Sequence, residues 1–241
     1  MSESSVISGT PASPRPASFR RSLKRYLVMA LVLTAVLILG SGRTEWVRAW
    51  IFVGLTLAVQ IAVGAALHRI SPDLLTERSR FPKDTARWDK VLAPAIALIG
   101  PLAVWSVAAW DVRVHWPPSV PPVWSVAAFA VCVAGVLLAF WAMTANRFFT
   151  STVRIQKERG HVTVEAGPYR YLRHPGYSGA LAFTIASPIA LGSWLALIPA
   201  VAVALLLILR TALEDRTLRA GLPGYEAYSG RTRKRLLPYV W

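Results

Sequence analysis

The sequence predicts an all-α, polytopic membrane protein: four transmembrane helices followed by a carboxyl-terminal helical hairpin, with long polar loops gathered on one side. Three observations carry this reading. Hydrophobic residues make up 54% of the 241 residues and charged residues only 16%, too apolar and too sparsely charged for an ordinary soluble domain. Charge-free stretches run over 26–41, 51–67, 91–110, 117–146 and 175–209, and about 20 apolar helical residues suffice to cross the hydrocarbon core. The basic residues collect between alternate stretches rather than being scattered.

Taken in order, residues 1–22 are rich in Ser, Pro and Ala and then in Arg, with no apolar core. They are expected to form a disordered basic tail rather than a cleaved signal peptide, because no small-residue cleavage site follows the basic cluster and first crossing. The region 23–145 holds the four crossings, near 26–40, 46–67, 91–110 and 123–145. The first is short and extends back toward Leu23. The last apolar stretch is too long for one crossing and is interrupted by Ser187-Pro188 and Gly192-Ser193. It therefore reads as a hairpin with limbs 177–191 and 193–209, inside a third region covering 146–241.

Orientation follows from the basic residues, since cytoplasmic flanks hold an excess of them. With the amino terminus inside, all of the 27 Lys and Arg except Arg43, Arg48 and Arg113 fall on inner segments. Both termini and the large loops are thus expected in the cytoplasm, with the chain in the cell (inner) membrane. A net charge of +15 would suggest nucleic acid in a soluble protein. Here the positive-inside rule and anionic lipid headgroups account for it, so membrane lipid is an expected partner and nucleic acid is not. Trp46, Trp110, Trp116, Trp124 and Trp194 fall at outer helix ends or turns, where amphipathic rings favour the interface. The single Cys132 lies inside a crossing, which leaves no intramolecular disulfide and a packing role. No internal repeat is present.

Polar sequence concentrates in three inner segments, 68–90, 146–174 and 210–241. The densest pattern runs from Gln156 through His161, Gly167 and Tyr169 to Arg173-His174-Pro175-Gly176-Tyr177. A proline disfavours α geometry in the residue before it and suits the first helical turn. Arg173 and His174 are therefore expected at a helix amino terminus, beside free N–H groups that suit a carboxylate or phosphate. A polar cap anchored by Tyr169, Tyr171 and Tyr177 is the plainer alternative. Arg210 and Glu214 are four apart at the inner end of the second limb, on one helical face. They form either a simple helical ion pair or part of a site converging with His174 and Tyr177. Tyr225, Tyr228 and Arg231 continue one face of a further segment, read either as a basic amphipathic tail on anionic lipid or as part of the site.

In this order, the three patterns resemble the isoprenylcysteine carboxyl methyltransferase family of integral membrane methyltransferases. The resemblance covers roughly 146–238 and rests on Gln156, His161-Val162-Thr163-Val164, Gly167 and Tyr169, Arg173-His174-Pro175-Gly176-Tyr177, and Arg210 with Glu214. The loop Pro72-Asp-Leu-Leu-Thr-Glu-Arg78 is a looser match. Thr163 replaces the usual Leu and Asp215 the second Glu.

The resemblance implies that S-adenosyl-L-methionine binds cytoplasmic loops. Its expected contacts are Gln156, His161, Val162, Thr163, Val164, Tyr169, His174, Pro175, Gly176, Tyr177 and Glu214. Arg210 is expected to meet the anionic group of a lipophilic or prenylated acceptor entering from the bilayer. The implied reaction is carboxyl O-methylation, which needs no general base, so no catalytic acid or base is assigned and no metal is implied. The alternatives are a lipid amine N-methyltransferase, an NADPH-dependent sterol-type reductase and a non-enzymatic membrane protein.

Overall fold

The computed structural model describes residues 19–78 and 84–237. Secondary structure among these residues is helical. Helix α1 spans Phe19–Thr34 and continues through a π turn, Ala35–Leu39. Then come α2 (Val47–Ile70), the short α3 (Pro72–Arg78), α4 (Asp89–Pro94), a second π turn (Ala95–Ile99) and α5 (Gly100–Val114). Helix α6 (Pro122–Ala145) precedes a loop with two 3₁₀ turns, Lys157–Arg159 and Gly167–Arg170. The chain ends in α7 (Pro175–Leu191), α8 (Leu197–Gly221) and α9 (Tyr225–Arg231).

Five rods are long and apolar enough to cross a membrane: Phe19–Leu39, Val47–Ile70, Asp89–Val114, Pro122–Ala145 and Leu197–Gly221. Four of them are the expected crossings, and the fifth is the second limb of the expected hairpin. Helix α7, at 17 residues, is about 26 Å long, somewhat short of the ~30 Å hydrocarbon core. Gly192 stops it in the left-handed region, φ 95°, which suits a residue without Cβ. The structure also adjusts the expected ends. Residues 19–22, assigned from sequence to the tail, are helical, with Phe19 5.8 Å from the His68 ring; the remainder of that tail, residues 1–18, lies outside the described residues. The third crossing begins at Asp89 and passes Pro94 as one rod. Proline lacks the N–H donor and crowds the preceding turn, and the π turn at Ala95–Ile99 absorbs that defect.

The core is built by rings and small residues in alternation. Phe52 of α2 lies 6.4 Å from Trp105, 6.4 Å from Phe129 and 5.9 Å from Phe183, tying α2 to α5, α6 and α7. Helices α6 and α7 make the closest pair, because Gly135 and Gly179 face each other. A Cβ on Gly135 would stand 2.5 Å from the Gly179 carbonyl oxygen, so only glycine permits this approach, the small-residue mode of packing in membranes. At the end that holds the 192–196 turn, Ser193 Oγ donates to Asp111 Oδ2 at 2.5 Å and Arg48 donates to the Val120 carbonyl at 2.8 Å. Trp46 departs from expectation. It is 1% exposed and donates to the Leu191 carbonyl at 3.2 Å, so it is a core residue. Trp110, Trp116, Trp124 and Trp194 are exposed, as interfacial rings would be.

Candidate functional site

The polar segments meet at the opposite end of the bundle. Helix α6 stops at Asn146, whose Oδ1 accepts the Phe148 N–H at 2.8 Å and whose Nδ2 reaches the Tyr169 hydroxyl at 3.3 Å. The loop that follows is organised by Gln156, which is fully buried. Its Nε2 donates to the Phe148 carbonyl at 2.6 Å, and its Oε1 accepts from Arg159. The Gln156 N–H in turn donates to His161 Nδ1 at 3.3 Å, and the imidazole lies 4.5 Å from the Phe148 ring. A ring nitrogen that accepts must be unprotonated. Burial first, then repulsion from Arg159 and Arg154, pushes His161 down to about 4, so Nε2 carries the proton and is the donor this ring offers. Arg154 ties the loop to α3 through Glu77 at 2.6 Å and to the segment after it through Asp84 at 3.0 Å, and pairs within the loop with Glu158 at 2.8 Å. Burial opposes its charge, but the three carboxylates together hold the guanidinium above its ordinary value.

The start of α7 is where the sequence and the structure part company. The Arg173 N–H donates to the Lys234 carbonyl at 2.9 Å, the His174 N–H to Arg235 at 3.0 Å, and Ser178 Oγ to Leu236 at 2.5 Å. The returning chain thus takes up the Arg173 and His174 N–H groups, and His174 makes no side-chain capping hydrogen bond. Asp215, the residue that replaces the second acid of the motif, gathers the charges here. Arg173, Arg235 and Arg219 approach its carboxylate at 3.0, 3.2 and 3.3 Å, and the Tyr225 hydroxyl donates at 2.9 Å. His174 Nε2 stands at 3.5 Å. Tyr228 donates to the Tyr169 carbonyl at 2.7 Å, and Arg231 pairs with Glu165 at 2.5 Å. The shared face of Tyr225 and Tyr228 is real, but it packs inward against the loop instead of lying on lipid. Both tyrosines are buried.

A second correction concerns Arg210. It forms no ion pair with Glu214 among the described residues. Its Nε and Nη2 grip both oxygens of Asp89, at 2.7 and 3.1 Å, and Nη2 also donates to the Ser151 carbonyl at 2.9 Å. Asp89 is fully buried and accepts the Val153 N–H at 2.6 Å as well. Tyr177 lies between the two charged systems. Its ring stacks with His174, centroids 5.7 Å apart, and the Arg210 guanidinium stands 5.1 Å from its centroid. Its hydroxyl donates to Glu214 at 2.5 Å.

Two cavities adjoin this arrangement. A cleft of about 90 Å³ is lined by His161, Val162, Thr163, Val164, Tyr169, His174, Gly176, Tyr177 and Glu214, nine of the residues expected at a cofactor. Gln156 and Pro175 are not on its wall: the first supports the loop from behind, and the second sits in the first turn of α7. Phe148, Phe149, Arg154, Arg173 and Tyr225 also line the cleft, although the motif did not nominate them for it. The second cavity, about 440 Å³, lies among α2, α6, α7 and α8 and is largely apolar. Both are walled by Phe149, Thr150, Gly176 and Tyr177. Arg210 faces the apolar side and Glu214 the polar side. Asp89 escaped sequence reasoning, yet an acid in the first turn of a crossing is costly in lipid unless it has a partner, and that cost was the available signal.

Residues 126–220 match the model of the Isoprenylcysteine carboxyl methyltransferase (ICMT) family. Relatives named "Probable protein-S-isoprenylcysteine O-methyltransferase" in Oryza sativa subsp. indica and in subsp. japonica are each 38% identical over 61 residues, 25% of this chain and 32% of theirs. "Protein-S-isoprenylcysteine O-methyltransferase B" of Arabidopsis thaliana is 30% identical over 89 residues, 36% of this chain and 45% of that one. The match thus spans less than half the length of these curated relatives. It covers nearly all of α6, the loop, α7 and nearly all of α8, the elements that bring Tyr177, Glu214 and Arg210 together. Residues 126–220 of this chain are thus similar to the isoprenylcysteine carboxyl methyltransferase family.

Proposed function

We propose that the protein is an S-adenosyl-L-methionine-dependent methyltransferase of the membrane that esterifies the carboxylate of an isoprenylcysteine-like or other lipid-soluble acid. The observation that carries this is the shared wall at Phe149, Thr150, Gly176 and Tyr177. A polar cleft on one side and an apolar chamber on the other let a charged cofactor and a greasy acceptor approach the same few atoms from opposite directions.

The donor set of the cleft fits the cofactor. Glu214 supplies a carboxylate that can face a cation, whereas the Tyr177 ring already meets Arg210 and His174 and the Phe149 ring meets Arg78. Arg173 also lines the cleft; its Nη1 is paired with Asp215 at 3.0 Å, while its Nε is buried without a hydrogen-bond partner among the described residues and could serve an amino-acid carboxylate. His161 offers its Nε2 proton. The enclosed 90 Å³ is below the ~300 Å³ of ordinary small-molecule sites, so it takes only part of the cofactor. Val162, which lines the cleft, is 59% exposed, so the remainder of the cofactor would extend toward solvent on that side. When bound, the cofactor supplies an electrophilic methyl on a sulfonium.

The protein's part is alignment and exclusion of water. Gly176 leaves the backbone low enough for close approach; a Cβ there would stand 2.7 Å from the Phe149 ring. Tyr177, held by Glu214 at its hydroxyl and flanked by His174 and Arg210, fixes the boundary between the cavities. Transfer would form an O–CH3 bond as the S–CH3 bond breaks, leaving a neutral ester and S-adenosylhomocysteine; because both charges disappear, a water-poor boundary would favour it and positioning would supply much of the remainder. No proton needs to move, so the step asks for no general acid or base. The cleft would face the cytoplasm, with both termini, by the distribution of basic residues.

Purified protein with methyl-labelled cofactor and N-acetyl-S-farnesylcysteine tests this directly. The expected product releases volatile methanol in mild base. Base-stable label in phospholipid would move the reading to an amine acceptor, and binding of NADPH without binding of S-adenosylhomocysteine would move it to a reductase.

A further inference from the structure

We propose that Arg78, at the end of α3, is the residue that receives the carboxylate of the lipophilic acid, while Arg210 is held by Asp89 as part of the chamber wall. The proposal deepens the methyltransferase reading and rests on it.

Both arginines line the apolar chamber, but their circumstances differ. Arg210 has given Nε and Nη2 to Asp89 in a two-pronged pair. Arg78 has no ion pair or side-chain hydrogen bond among the described residues, and every acid of the chain except Glu3 is among them. Its guanidinium lies 5.1 Å from the centroid of the Phe149 ring, a contact that orients a cation without neutralising it. Burial pulls its pKa below the ordinary value, and the groups that oppose this are the uncharged Tyr26 and Tyr177. The charges at the chamber are therefore the half-buried Arg78 and the buried Arg210 against the buried Asp89, one positive charge in excess. A buried charge without a partner is strongly unfavourable, and at a membrane boundary it marks a ligand path. A single carboxylate on a long apolar chain supplies both what Arg78 lacks and what the chamber's Leu55, Val59, Ile96 and Val136 accept. The position is also apt for transfer, because Phe149 belongs to the wall shared with the polar cleft.

The experiment measures equilibrium binding of N-acetyl-S-farnesylcysteine and of its methyl ester to the purified full chain by tryptophan fluorescence, with S-adenosylhomocysteine binding in parallel. The wild type should prefer the acid, and Arg78→Gln should weaken acid binding about 10- to 100-fold, the scale of a charge-assisted pair. Binding of the ester and of S-adenosylhomocysteine should persist. An acid preference that survives Arg78→Gln overturns the proposal, and its loss in Arg210→Gln instead would assign the role to Arg210. Equal binding of acid and ester by a wild type that binds S-adenosylhomocysteine also overturns it while leaving the methyltransferase reading intact. A wild type that binds no S-adenosylhomocysteine but prefers the acid through Arg78 removes that reading and keeps the anion site. Should Arg78→Gln fail to fold, phenylglyoxal modification of the wild type decides: protection of Arg78 by the acid and not by the ester supports the assignment, and undiminished modification refutes it.

Discussion

Replacing Asp89 with Ala should destabilise the whole loop end of the bundle through a single residue at the first turn of α4. The carboxylate is 0% exposed and its partner Arg210 has a side chain 8% exposed, so the substitution leaves a guanidinium in a dry setting with only Ser151 and the Tyr177 ring as company. Breaking a buried pair by removing one partner costs about 3–5 kcal/mol. The Val153 N–H loses its acceptor at the same time, but the two losses share one site and do not add. At ~2–4 °C per kcal/mol for a chain of this size, the melting temperature of the detergent-solubilised protein should fall by about 6–20 °C. Arg210→Met should fall comparably, because Asp89 is then the stranded charge. The double change Asp89→Ala with Arg210→Met should lie closer to the wild type than either single change, since the cost of desolvating both ions disappears with them. Additive losses, or a shift under 2 °C for Asp89→Ala, would refute the reasoning.

Other consequences follow from particular contacts. Gly179→Ala should force α6 and α7 apart, because its Cβ would meet the Gly135 backbone, and should cost on the order of 1–3 kcal/mol in thermal stability, whereas Gly54→Ala, with nothing within 4 Å, should be tolerated. Because His161 is pushed down from 6.5 to about 4, the unfolded chain binds a proton between those values that the folded chain refuses. The stability of the wild type relative to His161→Asn should therefore be flat above pH ~7 and decline as pH falls through 6.5 toward 4, and a difference that grew on acidification would contradict this. Glu214→Gln should weaken S-adenosylhomocysteine binding by on the order of 1–3 kcal/mol, the scale of a hydrogen bond to a charged group. Glu158→Gln should leave it unchanged, as that side chain is 57% exposed and pairs with Arg154; equal losses in calorimetry would point to general destabilisation.

The apolar runs, their helical form and the hairpin were legible in the sequence because the bilayer imposes a length and a composition on any segment that crosses it. The motif from Gln156 to Tyr177, with Arg210 and Glu214, was legible as a family pattern, and most of those side chains do line one cleft. Local sequence could not reveal which charge meets which. Arg210 and Glu214 are four apart on one helix, yet Arg210 pairs with Asp89, 121 residues away, and Asp215 collects its partners from three separate segments. Helical spacing specifies which residues share a face, whereas a buried ion pair is chosen by whichever carboxylate the packed helices carry within reach. The same reason separates Trp46 from the other tryptophans and turns Tyr225 and Tyr228 inward. Sequence alone determined that the chain lives in the membrane, that its polar chemistry lies at one end, and which family residues 126–220 resemble; the tertiary structure decided how the charges pair there, because pairing depends on distances that only packing sets.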